Sequence, residues 1–490
     1  MGSTFLQAQQ PVDLQALLGK MTLDEKVGQL TQINAHDSLP VWIEKGQVGS
    51  ILNEVDPSTI ATYQRIAREE SRLGIPLLVA RDVIHGFRTI FPVPLGQAAT
   101  WNPELVEEAA ALAAMEAASQ GINWTFSPML DVTRDPRWGR VVESFGEDAY
   151  LNSLLGAAMV RGYQGGDLSS PSTIAACAKH YLAYGWAEGG RDYNTANVGE
   201  PTIHQHILPP FRGAIAAGVA TVMTAFQDIN GIPATGHAYW VGDYLRKTLA
   251  FDGLVVSDWV SIAQLVTHGY AQDERQAAQQ AIAATVDMDM QSRLYLEVLP
   301  QLVQAGEVPM AVIDSAVMRV LRLKQQLGLF AEPNTDYDYP DLLADKSMQV
   351  ARQMAAESIV LLKNEADMLP LSRDLSVAVI GPLADAPHEQ LGTWVFDGRS
   401  EDAVSPLQAI AEYVPSASLH YASGLTYSRD TSHKGFEAAI DAALQSDVVL
   451  LFLGEESIIT GESHSRADIR LPGAQEALVQ ALTHTGKPVV

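Results

Sequence analysis

Asp258 closes the run Gly253-Leu254-Val255-Val256-Ser257-Asp258-Trp259, an apolar stretch that ends in an acid beside an indole. A carboxylate held rigidly at a strand end and partly desolvated suits covalent catalysis, in which it attacks an electrophilic carbon and is later freed by water. Trp259 offers a flat apolar face of the kind that stacks on a sugar ring. The competing role for Asp258 is structural, because a strand-end aspartate also caps a following helix. The run alone does not choose between the two.

Other capable groups hold similar places. Asp82 follows the apolar run 77–80, where a cap or an ion pair with Arg81 is the structural alternative. Between Thr133 and Arg140, an acidic chain packs Arg134, Arg137 and Arg140 close together. Some must pair internally, with Glu143, Glu147 and Asp148 as candidates, and at least one could fork onto hydroxyls. Lys179 and His180 follow the run 175–178; adjacent strand residues face opposite sides, so both reach a ligand only where the strand bends. The histidines show no zinc spacing such as His-Glu-x-x-His, so neither a catalytic metal nor another cofactor is expected. There is no Gly-x-Ser-x-Gly elbow, no Gly-rich phosphate loop and no dinucleotide fingerprint, though absence alone does not dismiss a redox barrel.

Hydrophobic periodicity indicates the scaffold. Thr22-Leu23-Asp24-Glu25 forms a capping box, with Val27, Leu30 and Ile33 following at helical spacing. Short apolar runs at 49–52, 77–80, 124–130, 173–178, 220–225, 254–256 and 285–290 then alternate with helical stretches such as 103–119 and 274–284. Alternation of this kind predicts parallel strands with crossover helices, and seven or eight units in roughly 310 residues fit a (β/α)8-type, TIM-like barrel. The runs end in Asp82, Asp131, Lys179-His180, Asp258 and Asp287. A barrel would gather those ends on one face, where active sites sit.

The predicted barrel domain covers residues 10–330. Residues 331–345, with Pro333, Asn334, Asp336, Asp338, Pro340 and Asp341, read as a linker. A second α/β domain over 346–490 opens with a helix continued by Ile359-Val360-Leu361-Leu362, then strand-like runs at 376–380, 418–421 and 448–453. It ends in Gly486-Lys487-Pro488-Val489-Val490, which reads as a turn and the opening of a buried strand, so this α/β sandwich is expected to be truncated. At the other end, Met1-Gly2-Ser3-Thr4 lacks a signal-peptide pattern and resembles a cloning scar.

Composition narrows the function classes. The 490 residues carry 32 basic and 58 acidic side chains, a net charge of -26. Such a surface repels phosphate backbones and anionic lipid, so neither nucleic acid nor membrane is an expected partner. No apolar run reaches the roughly 18–20 residues of a membrane helix. The single cysteine, Cys177, permits no internal disulfide and leaves the compartment open.

Taken together, several segments resemble glycoside hydrolase family 3 over nearly the whole chain. They are Lys20-Met21-Thr22-Leu23-Asp24-Glu25-Lys26-Val27-Gly28-Gln29-Leu30, Phe91-Pro92-Val93-Pro94-Leu95-Gly96, Arg134 to Arg140, Glu143-Ser144-Phe145-Gly146-Glu147-Asp148, Ala178-Lys179-His180 and Val256-Ser257-Asp258-Trp259. Leu361-Leu362-Lys363-Asn364 and Ile380-Gly381-Pro382 extend the likeness into the second domain. Tyr184-Gly185, Glu188-Gly189-Gly190-Arg191 and Tyr193-Asn194-Thr195 bring it nearest to bacterial periplasmic β-glucosidases.

The resemblance implies a barrel followed by an α/β sandwich with the active site between them, and a periplasmic or secreted location. It implies a retaining, exo-acting β-glucosidase that takes small β-glucosides or gluco-oligosaccharides. Asp258 would be the nucleophile. Asp82, Arg140, Lys179 and His180 would contact the sugar, and Met223 and Trp259 would line the pocket. The acid/base is expected on the loop after a second-domain strand, where Glu455, Glu456 and Glu462 compete. Glu462, preceding the Ser465-Arg466 pair, matches the family pattern, and Glu455 is the runner-up. The alternatives are a β-xylosidase, a β-N-acetylhexosaminidase or a non-catalytic carbohydrate-binding fragment. Lys179-His180-Tyr181-Leu182-Ala183-Tyr184-Gly185 departs from the Lys-His-Phe-Pro-Gly-x-Gly loop of the hexosaminidases, and intact acidic candidates argue against the binding fragment.

Overall fold

The computed structural model describes residues 12–331 and 337–490. The segment Met1–Thr4 and the linker residues Pro333, Asn334 and Asp336 lie outside the described residues.

The capping box opens the helix Leu23–Gln29. Thr22 Oγ1 accepts the Glu25 N–H, and the Glu25 carboxylate accepts the Thr22 N–H at 2.8 Å. Helical spacing predicts Ile33 on this helix, and the structure corrects that. The helix stops at Gln29, and Ile33 lies in strand β1, Thr31–Asn34. Thr31, Gln32 and Ile33 are all buried. A segment buried on both faces has no polar side to reveal its period.

From β1 the chain adds parallel strands β2 (Ser50–Leu52), β3 (Leu78–Arg81), β4 (Trp124–Thr125), β5 (Cys177–Tyr181) and β6 (Thr221–Thr224). A short antiparallel hairpin, β7 (Asp228–Ile229) and β8 (Ile232–Pro233), precedes β9 (Leu254–Val256) and β10 (Asp289–Met290). These form a five-stranded sheet in the order β10-β1-β2-β3-β4 and a three-stranded sheet β5-β6-β9, both parallel. Single parallel bridges, Trp124 to Ala175 and Met129 to Lys179 at one seam and Val256 to Met288 at the other, link the two half-barrels. The run 124–130 yields only two strand residues. Pro128 has no N–H to give a ladder, and Met129 contributes an isolated bridge.

Helices cover the outside. Pro103–Ser119 packs on Ala149–Gln164, which packs in turn on Leu208–Ala216. Contact between the first two is close because Gly162 faces Glu107 and Ala110. A Cβ there would strike the Glu107 carbonyl oxygen and the Ala110 methyl.

The helix Asp345–Ser358 belongs energetically to the first unit, burying Val350 and Met354 in the same core as the half-barrels. Its expected apolar continuation is not helical: Ile359-Val360-Leu361-Leu362 leaves the helix, and Leu362 is 90% exposed. Strands β11 (Val377–Ile380), β12 (Leu419–Ala422) and β13 (Val448–Leu451) then form a parallel sheet in the order β12-β11-β13. Separate apolar clusters cover its two faces, one with Leu478 and Ala439, the other with Leu407 and Ile410. Val489 bridges to Val449 in parallel, as a strand opening should, yet Val489 and Val490 are 36% and 42% exposed rather than buried.

Gly162→Val tests the helix packing. Overpacking of this kind costs about 1–3 kcal/mol, so we expect a fall of several degrees in Tm by calorimetry. An unchanged Tm would show that the two helices separate freely.

Candidate active site

Asp258 lies just past β9 and its side chain is buried. Its Oδ1 accepts the Trp259 N–H at 2.7 Å. Its Oδ2 has no hydrogen-bond partner among the described residues; His180 Nε2 stands 3.5 Å away. One oxygen is thus anchored while the other has no hydrogen-bond partner, and Asp258 lines a cavity of about 570 Å³. Every residue expected at the sugar site lines that cavity: Asp82, Arg140, Lys179, His180, Met223, Trp259, Asp258 and Glu462.

The lysine and histidine both reach it although they are adjacent. Pairing of β5 with β6 shifts register between Ala178 and Tyr181, and such a bulge re-aims neighbouring side chains. His180 Nδ1 meets Asp131 Oδ2 at 2.8 Å, and the His180 N–H donates to the same oxygen at 3.0 Å. Burial pushes Asp131 up to about 7, whereas burial, with Arg140 and Lys179 beside it, holds His180 far below its ordinary range. The imidazole is therefore neutral, held by Asp131, with Nε2 turned to the cavity.

Around them runs a buried charge network. Arg140 donates through Nε and Nη2 to the two oxygens of Glu143, at 2.8 and 2.9 Å. That leaves Nη1 facing Glu462 Oε2 at 3.6 Å. Lys179 Nζ reaches Asp82 at 3.0 Å and Glu143 at 3.4 Å. Asp82 therefore pairs with Lys179, not with Arg81. Arg81 instead forms a two-pronged pair with Asp397 of the second domain, at 2.9 and 3.1 Å. Of the other arginines, Arg137 pairs with Asp135 and Arg134 lies over the Trp186 ring.

Asp287, expected at the same face, is elsewhere. It is fully buried between Arg246 and Arg319 and accepts the Val255 N–H. It precedes β10 rather than following it, so it braces the start of the strand instead of the mouth.

The second domain closes the cavity from above. His85 Nε2 lies 2.6 Å from the Thr393 carbonyl oxygen, and Arg88 pairs with Asp402 at 2.7 Å. With Arg81–Asp397, these contacts hold Trp394 over Lys179 and Arg140, 5.0 and 5.2 Å from its ring, and place Phe396 against Arg81. Glu462 enters on the loop after β13 and is among the lining residues. Glu455 is not; it pairs with Arg466, and Glu456 with Arg429.

Residues 22–323 match the glycosyl hydrolase family 3 N terminal domain, and residues 359–490 match the family 3 C-terminal domain. The chain belongs to glycosyl hydrolase family 3. This family 3 chain is 38% identical to a periplasmic β-glucosidase of Salmonella typhimurium, over 97% of its own length and 66% of the relative's. It is 33% identical to a β-xylosidase of Formosa agariphila, over 97% and 65%. The chain thus spans just under two thirds of these curated relatives. Among solved structures, a β-glucosidase of Listeria innocua in complex with glucose superposes with a TM-score of 0.92 at 40% identity, over 97% of this chain and 68% of that one. A mutant of the Listeria enzyme has been solved in complex with laminaribiose.

Tyr193, Arg81 and Phe396 also line the cavity and were not foreseen as site residues; Trp394 lines it as well. Tyr193 stands in a quoted motif, but nothing in that motif marks its hydroxyl as a partner of Glu462. Trp394 and Phe396 sit in an irregular loop with no periodic signal, brought to the mouth by ion pairs spanning some three hundred residues.

Burial, reinforced by the Glu462 charge, pushes Asp258 from 3.8 up to about 8, against the pull of Arg140, Lys179 and the Trp259 N–H. A carboxyl raised in this way costs the folded state wherever the unfolded chain has already ionised. The penalty therefore begins above pH 4 and grows until about pH 8. Asp258→Asn removes it. We expect the variant to melt above the parent, by more at pH 8 than at pH 5; a Tm no higher at either pH would contradict a strained carboxyl.

Proposed function

We propose that this chain carries the catalytic apparatus of a retaining, exo-acting β-glucosidase that releases terminal β-D-glucosyl residues from glycosides or gluco-oligosaccharides. The observation that carries the proposal is the pairing of Asp258 Oδ2, buried and free of hydrogen bonds, with Glu462 in one cavity.

The reaction runs in two displacements. In the reactive form the proton sits on Glu462 and Asp258 is ionised; Asp258 Oδ2 attacks the anomeric carbon as the bond to the leaving oxygen breaks. The electron pair of that bond stays on the oxygen, which takes the proton of Glu462. Water then gives a proton to Glu462 while its oxygen attacks the anomeric carbon from the face just vacated, and Asp258 leaves as carboxylate. Two inversions keep the β configuration. The transition state is cation-like, and a site in which Asp82, Glu143 and Asp258 as carboxylates face only Arg140 and Lys179 favours positive charge. Sugar hydroxyls would be held by Asp82, Arg140, Lys179 and His180, with Met223 and Trp259 as the apolar wall. In this reading the two half-barrels act as one TIM-like barrel over 10–330 that supplies the nucleophile. The unit over 346–490, whose opening helix packs into the barrel's core, is joined through 331–345 and supplies the acid/base.

Glucose is favoured by the fit to the Listeria enzyme solved with glucose and laminaribiose. Likeness to the Formosa β-xylosidase supports a second reading, a pocket for a sugar without the hydroxymethyl group. Likeness to the Salmonella enzyme supports a periplasmic or secreted location.

On nitrophenyl glycosides we expect kcat/KM for the β-glucoside to exceed that for the β-xyloside and the N-acetyl-β-glucosaminide by about tenfold or more, the scale of one missing group. A preference for the xyloside would install the second reading. Asp258→Asn should lower kcat on the β-glucoside by roughly 10³-fold or more; normal turnover would remove Asp258 from the mechanism.

A further inference from the structure

Of the two carboxyls assigned to the chemistry, Glu462 is the one supplied on a loop of the second domain, so something must hold it in place. Arg140 stands 3.6 Å from Oε2, too far for a firm hydrogen bond. The short contact is on the other oxygen: the Tyr193 hydroxyl donates to Oε1 at 2.5 Å and also lies 3.2 Å from Ser463 Oγ. Burial and the Glu462 charge push the phenol far above its ordinary range, so it remains O–H and can only donate to a carboxylate.

Tyr193 is itself fixed. Its ring meets Phe226 edge-on, with centroids 5.0 Å apart, and its backbone sits at φ 67°, a conformation unusual for a side chain of this size. The preceding residue, Asp192, accepts both the Trp138 indole N–H and the Ser463 N–H, each at 2.5 Å. Ser465 Oγ donates to the Gly190 carbonyl, and the Gly461 N–H to the Gly139 carbonyl at 2.8 Å. Both sides of the Tyr193–Glu462 contact are therefore tied to the barrel.

We propose that Tyr193 is a positioning residue for acid/base catalysis: by occupying Oε1 it fixes the Glu462 carboxyl and leaves Oε2 as the oxygen that carries the transferred proton. The proposal rests on the reading of Glu462 as acid/base. The hydroxyl makes no bond to the sugar in this scheme, so in kcat/KM, which reads the first displacement, its removal should matter only where Glu462 must donate.

The test compares Tyr193→Phe, Glu462→Gln and the double variant on two β-glucosides. The alcohol leaving from methyl β-glucoside or from cellobiose needs protonation, whereas 2,4-dinitrophenolate departs without it. Tyr193→Phe should lose at least about tenfold in kcat/KM on the poor leaving group and less than about threefold on the dinitrophenyl glucoside. Glu462→Gln should show the same selectivity more strongly, and adding Tyr193→Phe to it should cost little more. Equal losses of Tyr193→Phe on both substrates, or full additivity in the double variant, would overturn the proposal, leaving the hydroxyl a purely structural role. If Glu462→Gln itself shows no leaving-group selectivity, the acid/base reading fails instead. A thermal melt of each variant confirms that the comparison is made on folded protein.

Discussion

The architecture of the site depends on one buried guanidinium. Arg140 is 1% exposed and cannot shed its charge, so leaving it unpaired would cost far more than any packing gain around it. Glu143, equally buried, takes two of its donors and is lowered by Arg140 and Lys179 despite its burial. Lys179 joins because Glu143 has charge to share, and Asp82 because Lys179 has a donor to spare. The surviving donor of Arg140 looks across the domain boundary to Glu462. A single charge that must be neutralised thereby ties strand ends, a helical turn and a second domain into one figure.

The same logic explains why the domains are clamped so heavily around the cavity. Arg81–Asp397, Arg88–Asp402 and the contact of His85 with Thr393 are all shielded from bulk water, where charged hydrogen bonds hold best. Two carboxyls on separate domains act on the same bond only if that boundary does not drift. A displacement near 1 Å is enough to lose about a hundredfold in rate.

Much of the site was legible in the sequence because its members end buried strands. Asp82, Lys179, His180 and Asp258 each follow an apolar run, and parallel strands carry such ends to one mouth. Asp287 shows the limit of that rule, since an acid inside a run is indistinguishable by pattern from one at its end. The fold failed to read at β1 and at 124–130, where burial on both faces hid the period and a proline cut a ladder short. Family likeness, not spacing, placed Glu462 ahead of Glu455; the structure puts the first in the cavity and the second against Arg466. The Tyr193 contact, the placement of Trp394 and the Arg81–Asp397 pair were invisible because they depend on contacts between distant loops, which no local pattern encodes.

The central claim is that Asp258 becomes covalently joined to the sugar. Incubation with 2,4-dinitrophenyl 2-deoxy-2-fluoro-β-glucoside, which slows the second displacement, followed by proteolysis and mass spectrometry, tests it most directly. The account predicts one fluoroglucosyl group per chain, carried on the peptide containing Asp258. Label on another carboxylate, or unlabelled enzyme that releases α-glucose from an ordinary β-glucoside, would contradict it.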